Sequence, residues 1–200
     1  MMSQTHILLS SALFSKPGHS LRNAAIVVGA FIPDLAIFAL FGWSKAAGIA
    51  EQTVWNELYW REPWQSWAAA GNSLPLYITL GLIGVILLRI AGGVWRIGLV
   101  LAFIALSASL HIAGDLPVHV QDAHRHLWPL SDWKFISPIS YWNPAHHGTL
   151  FAIFEICLGL LLAIVLFRRF QTPWLRVTLG LVIALYIAVP LYFTFMLGGA

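Results

Sequence analysis

The chain has 200 residues, 59% of them hydrophobic and only 10% charged, with a mean hydropathy of +0.78. Soluble domains carry about 25% charged residues, so this composition cannot cover a water-facing surface and places the protein in a bilayer. A net charge of +3, with basic residues in short clusters between apolar runs, excludes a nucleic-acid footprint. The single Cys157, inside an apolar run, excludes an intramolecular disulfide and a cysteine metal cluster.

In chain order, the opening MMSQTHILLS has neither the basic region nor the cleavage site of a signal peptide. The apolar run Ile7 to Phe14 is too short to cross a hydrocarbon core of about 30 Å, and Ser-Lys-Pro-Gly ends it, so a half-helix with His6 near its start is expected. Ala24 to Trp43 is long enough to span and carries Asp34 directly after Pro33. A carboxylate at that depth costs at least about 2.5–3.5 kcal/mol and must face a partner inside the protein. Pro33 also frees a carbonyl one turn earlier. Residues 44–73, rich in Trp and Tyr among Glu and Arg, read as an interfacial aromatic helix.

Further spans are expected at Leu74 to Leu88, Ile97 to Ile112, Leu150 to Phe167 and Val177 to Met196, the last kinked at Pro190. The expected architecture is an all-α, polytopic membrane bundle forming a single domain over 1–200. It has about five spanning helices, the N-terminal half-helix, the aromatic helix and a His/Asp-rich loop at 114–148. Seven of the eleven Lys and Arg residues lie in the turns at 16–22, 89–96 and 168–176. Alternation of five spans puts those turns on the cytoplasmic face and the loop on the other.

That loop, with the helix end before it, holds the chemistry. Between His111 and Gly148 lie six of the eight histidines and three of the eight carboxylates. Neutral imidazole and carboxylate are what a zinc-like divalent ion accepts where thiolates are absent. His111 and Asp115, four apart at a helix end, address one point, and His119 continues the step although Pro117 interrupts the helix. Asp122, His124 and His126 alternate, so an extended segment aims them the same way. His146 and His147 precede the next span. His111, Asp115 and Asp34 are the leading ligands, followed by His119 and His147, while His124, His126 and His146 read equally as outer-shell or surface groups.

The pieces THILLS (5–10), GAFIPDLAIF (29–38) and HIAGD (111–115) together resemble the bacterial membrane-bound, metal-dependent hydrolases of the LexA-regulated type. That family is distantly similar to zinc-dependent phospholipase C, and the resemblance implies that His6, Asp34, His111 and Asp115 bind metal. The chain departs from the phospholipase pattern in having no histidine from 20 to 110 and no closing His-x-x-x-Glu pair.

The expected function is therefore a zinc-dependent hydrolase of the bacterial inner membrane. Its substrate is expected to be a phosphoester, lipid or lipid-linked molecule met at the periplasmic membrane–water boundary. Asp122 or His124 is expected as general base, and Arg125 or Lys134 to neutralise a substrate phosphate. Two alternatives use the same residues differently: a non-catalytic metal-binding or metal-transporting membrane protein, and a haem-carrying subunit with axial histidines.

Overall fold

The computed structural model describes residues 1–90 and 92–197, with side chains described as far as Ile187. All regular structure among the described residues is helical. Three helices are long and apolar enough to cross a membrane: Ser20–Ala46, Trp95–Val118 and Gly148–Arg169. A fourth crossing results if the bent pair Trp64–Gly71 and Leu74–Arg89 counts as one span. The expected kink at Pro190 lies outside the residues whose side chains are described.

Helix α1 (Ser3–Phe14) begins four residues before the apolar run and carries His6 in its first turns. Its exposed last carbonyls are covered by two arginines from different turns. Arg22 Nη2 donates to Phe14 O, and Arg169 Nη1 donates to Ala12 O at 2.7 Å. Both cations also oppose the negative end of the helix dipole. These contacts gather two of the three basic turns at one end of the bundle.

Helix α2 (Ser20–Phe31) passes through a 3₁₀ turn, Ile32–Asp34, into α3 (Leu35–Ala46). The switch falls at Pro33, which has no N–H for the helical ladder and is buried. The aromatic stretch is not one helix. It forms α4 (Glu51–Asn56), a 3₁₀ turn at Leu58–Trp60, and α5 (Trp64–Gly71). The first break falls at Glu57, whose φ of −129° leaves the helical region. The pieces pack on α3 through a small core of Leu40, Val54 and Tyr59.

A 43° bend at Asn72–Ser73 leads from α5 into α6 (Leu74–Arg89). Ser73 caps the new helix by accepting from Leu76 N–H at 3.3 Å, with Pro75 in the first turn, where its missing donor costs nothing. Helices α6 and α7 (Trp95–Asp115) run back to back. Gly84 and Gly98 let their backbones touch: a Cβ on Gly84 would lie 2.6 Å from Ala102 N. This small-residue approach is the usual way for helices to associate where lipid offers no hydrophobic drive. Helices α8 (Gly148–Arg169) and α9 (Pro173–Leu197) complete the chain, α8 also packing on α1.

Helices α2 and α7 are in parallel contact, and their register positions the site. The Arg22 guanidinium lies 4.6 Å over the Phe103 ring. Further along, Gly29 packs on the Ile104 backbone and the Ala30 carbonyl meets His111 Nδ1. Asp34 and Asp115 both approach His111 Nε2, at the end of the bundle opposite the α1 carboxyl terminus.

Candidate metal centre

Asp115 is the hub. Its Oδ1 lies 2.9 Å from His6 Nε2 and 3.4 Å from His119 Nε2, and its Oδ2 lies 2.9 Å from His111 Nε2. His111 Nε2 is also 3.6 Å from Asp34 Oδ1. The five groups arrive from four elements: His6 from α1, Asp34 from the Pro33 break, His111 and Asp115 from α7, and His119 from the loop. The ligand atoms of His6, His111 and Asp115 lie within 4.8 Å of one another, and all three residues are buried. The His6 and His111 rings stack at 3.6 Å with 13° between planes, which aligns their edges toward the carboxylates.

The tautomer of His111 follows from its other nitrogen. Nδ1 contacts the Ala30 carbonyl at 2.7 Å. A carbonyl only accepts, so Nδ1 carries a proton and Nε2 is left with its lone pair free in the neutral ring. The acceptor is one residue beyond the carbonyl orphaned by Pro33, so the helix break supplies the outer-shell contact that orients a metal-binding imidazole. Nε2 itself is buried and has no well-aligned hydrogen bond, although a carboxylate oxygen lies within contact distance. In the neutral ring this lone pair faces a carboxylate, a repulsion relieved by a cation between them or by a proton on Nε2, and the N-terminal ammonium of Met1 already binds the other oxygen of Asp115. The donor set of two imidazoles and a carboxylate, with Asp34 and His119 at its edge, fits a zinc-like ion.

The loop folds over the centre. Its backbone is pinned by Ser137 N–H to His119 O and Tyr141 N–H to Val118 O, both at 2.9 Å. His119 leaves the helix at the 3₁₀ turn Leu116–Val118, in extended conformation, yet its ring returns to Asp115. On its other side His119 Nδ1 meets Asp122 Oδ2 at 3.1 Å, and that oxygen also accepts from Trp142 Nε1. His124 and His126 are buried beside it, with rings 6.0 Å apart. Arg125 turns away: it donates to Asp132 at 3.1 Å and to Gln65 O at 2.9 Å, clamping the loop to α5. His147 is exposed in left-handed conformation at the turn before α8 and makes no ion pair with the cluster among the described residues.

Two supporting residues had little sequence signal. Asn72, at the α5–α6 bend, is almost fully buried, and its amide donates to Pro33 O at 3.2 Å and to Ala68 O at 3.0 Å. Its own carbonyl accepts from His126 Nδ1 at 3.2 Å, so one residue ties two helix breaks to the histidine loop. Glu155 of α8 is wholly buried and accepts from the Met2 N–H at 2.6 Å. Met2 O in turn accepts from His6 N–H at 3.3 Å, so Glu155 anchors the turn that presents His6. A carboxylate deep in an otherwise apolar helix was the available signal for Glu155. Glu155→Ala is expected to weaken metal binding by about 10–100-fold, as loss of an outer-shell partner does, whereas Glu155→Gln keeps the acceptor and most of the affinity. Equal affinity of Glu155→Ala and wild type in a metal titration would show that the anchor does not hold His6.

The loop histidines also set a pH dependence. Burial, reinforced by neighbouring His119, pushes His124 down to about 3. Burial opposes charge on His119 too, but Asp115 and Asp122 outweigh it and hold His119 up at about 9. His124 is thus neutral when folded and takes a proton when unfolded below its ordinary 6.5. Stability falls from there toward pH 3 by up to about 1.4 kcal/mol per pH unit. The His119 contribution is complete below 6.5 and is lost as pH rises through about 9. The thermal midpoint of chelator-treated protein is expected to peak near pH 6.5, and His124→Gln to flatten the acid limb only. An acid limb unchanged by that substitution would contradict a buried neutral His124.

No protein-family model matches this chain, and no curated protein or solved structure is found to be similar to it.

Proposed function

We propose that the protein is a membrane-embedded, metal-dependent hydrolase of the bacterial inner membrane, related to the LexA-regulated type. In this reading five spans place the centre on the periplasmic side, where it acts on a phosphoester or lipid-like substrate. The observation that carries the proposal is the His111 geometry: Nδ1 fixed on Ala30 O at 2.7 Å, with Nε2 buried and unaligned between two carboxylates. His6, His111 and Asp115 would hold the ion, with Asp34 and His119 at its edge. A divalent ion there supplies Lewis acidity toward a phosphoryl or acyl oxygen and activates water near neutral pH.

The residues of the chain then divide the remaining work. Asp122, bonded to His119 and Trp142, accepts a proton from water beside the centre, whereas His124, whose burial opposes protonation, stays neutral and is set aside as a base. Arg125 is engaged by Asp132 and Gln65 O, so its role is to hold the loop closed. The loop and the buried imidazoles exclude bulk water, which strengthens each electrostatic contact inside.

Elemental analysis of detergent-purified protein tests the metal, and hydrolysis of bis(p-nitrophenyl) phosphate and of phospholipid vesicles tests the reaction. Near-stoichiometric zinc with metal-dependent hydrolysis is the expected result. Wild type without metal after reconstitution would end the proposal. A second reading, a non-catalytic metal transporter, draws on Glu155, a buried carboxylate in α8 whose Oε2 has no hydrogen-bond partner among the described residues. Metal uptake into proteoliposomes without hydrolysis would favour it.

A further inference from the structure

The four membrane-level ligands are not equally accessible. The His6 and His111 side chains are 0% exposed and Asp115 is 3% exposed, whereas Asp34 is 15% exposed. The centre is therefore reached past Asp34. Asp34 lines a cleft of about 250 Å³ together with Ser3 and Gln4 of α1, Ile37 and Phe38 of α3, and Tyr141 of the loop.

The cleft is chemically two-sided. Ser3 donates to Asp34 at the inner end, beside the candidate centre. Ile37 and Phe38 form the apolar wall on the helix that continues the span Ser20–Ala46. Phe38 is half exposed, and Leu35 beside it is also exposed, so the wall runs out onto a surface of membrane-spanning character. No Lys or Arg lines the cleft. Met1 also lines it, but its N-terminal ammonium is already paired with Asp115, so among the described residues the walls hold no unpaired cation for a phosphate, and further counter-charge falls to an ion at the centre. The volume is below the roughly 300–1,000 Å³ of pockets that enclose a whole drug-sized ligand, so it admits part of a larger molecule.

We propose that this cleft is a lateral entry site for a bilayer lipid. The ester-bearing polar end of the lipid lies at Asp34, and the adjoining part of one acyl chain lies along Ile37 and Phe38, leaving the bundle between α1 and α3. The substrate assignment rests on the hydrolase reading; the cleft and its lipid do not require catalysis. Substrate enters sideways from the membrane, and the histidine loop need not open.

The test uses zinc-loaded full-length protein in phosphatidylcholine nanodiscs containing a phosphatidylcholine with a diazirine on the chain carbons nearest the ester. After irradiation, labelled residues are mapped by mass spectrometry. Labelling of Gln4, Ile37, Phe38 and Tyr141 is expected to exceed that of Leu181 and Leu185, which are exposed apolar residues on α9. Gln4→Trp, at an exposed position, is expected to lower cleft labelling by roughly fivefold or more, as an obstructing side chain does, with α9 labelling unchanged. Ile37→Trp provides the same block from the opposite wall. Cleft labelling no higher than on α9, or unaffected in both folded variants, overturns the proposal. Metal content is measured on the same samples. Labelled cleft residues in protein that binds no metal would remove the hydrolase reading and leave the lipid site standing.

Discussion

Asp115→Ala is expected to strip the protein of divalent metal and to lower its thermal midpoint at the same time. Three imidazoles, those of His6, His111 and His119, approach this one carboxylate within 3.4 Å. Removing an outer-shell partner costs about 10–100-fold in metal affinity, and removing the hub ligand should exceed that range. The stability loss has a separate origin. Buried His6 loses its hydrogen-bond partner and the Met1 ammonium its counter-charge, at a cost of about 1–3 kcal/mol per unsatisfied group, while His119 keeps Asp122. Asp115→Asn separates the two effects, because it keeps the shape and one acceptor while removing the charge. Elemental analysis beside thermal unfolding should show a folded Asp115→Asn protein with little metal. Full metal in that variant would move the centre away from Asp115, toward His119, His124 and His126.

The site was legible where one residue type carries one meaning. An aspartate after Pro33 in an apolar run had to find a partner, and it lies 3.6 Å from His111 Nε2. The spacing of His111 and Asp115 on a helix gave their convergence directly. His119 was legible in type but not in path, since its approach depends on a 3₁₀ turn and an extended residue after Pro117. What the sequence did not disclose is the packing behind the ligands. Asn72 reads as an ordinary loop residue until the α5–α6 bend is placed against Pro33, and His147 resembles a ligand until its turn is seen to face outward. The aromatic stretch had the composition of one interfacial helix, but the conformation at Glu57 divides it. In each case the missing information is a contact between elements distant in the chain, which periodicity does not encode.

Gly29→Ala is expected to unseat the centre without touching a ligand. A Cβ at this position would lie 2.4 Å from Ile104 O and 2.7 Å from Ile104 Cα. Both atoms belong to the backbone of α7, so no side-chain rotation relieves the contact and α2 must move away. Overpacking of this kind costs about 1–3 kcal/mol, more where backbone is the obstacle. The movement carries Ala30, whose carbonyl fixes the His111 tautomer, and with it the Pro33 break that presents Asp34. Metal affinity should therefore fall by about 10–100-fold, the range for a lost outer-shell contact. Gly84→Ala is the control for mere destabilisation. Its Cβ would lie 2.6 Å from Ala102 N, a comparable backbone clash, but it displaces α6, which supplies none of the candidate ligands. Both variants should melt earlier, and only Gly29→Ala should lose metal at a temperature where both remain folded. Equal metal loss in the two would show that any loosening of the bundle empties the centre. Loss confined to Gly29→Ala would show that the close approach of α2 to α7 sets the ligand geometry.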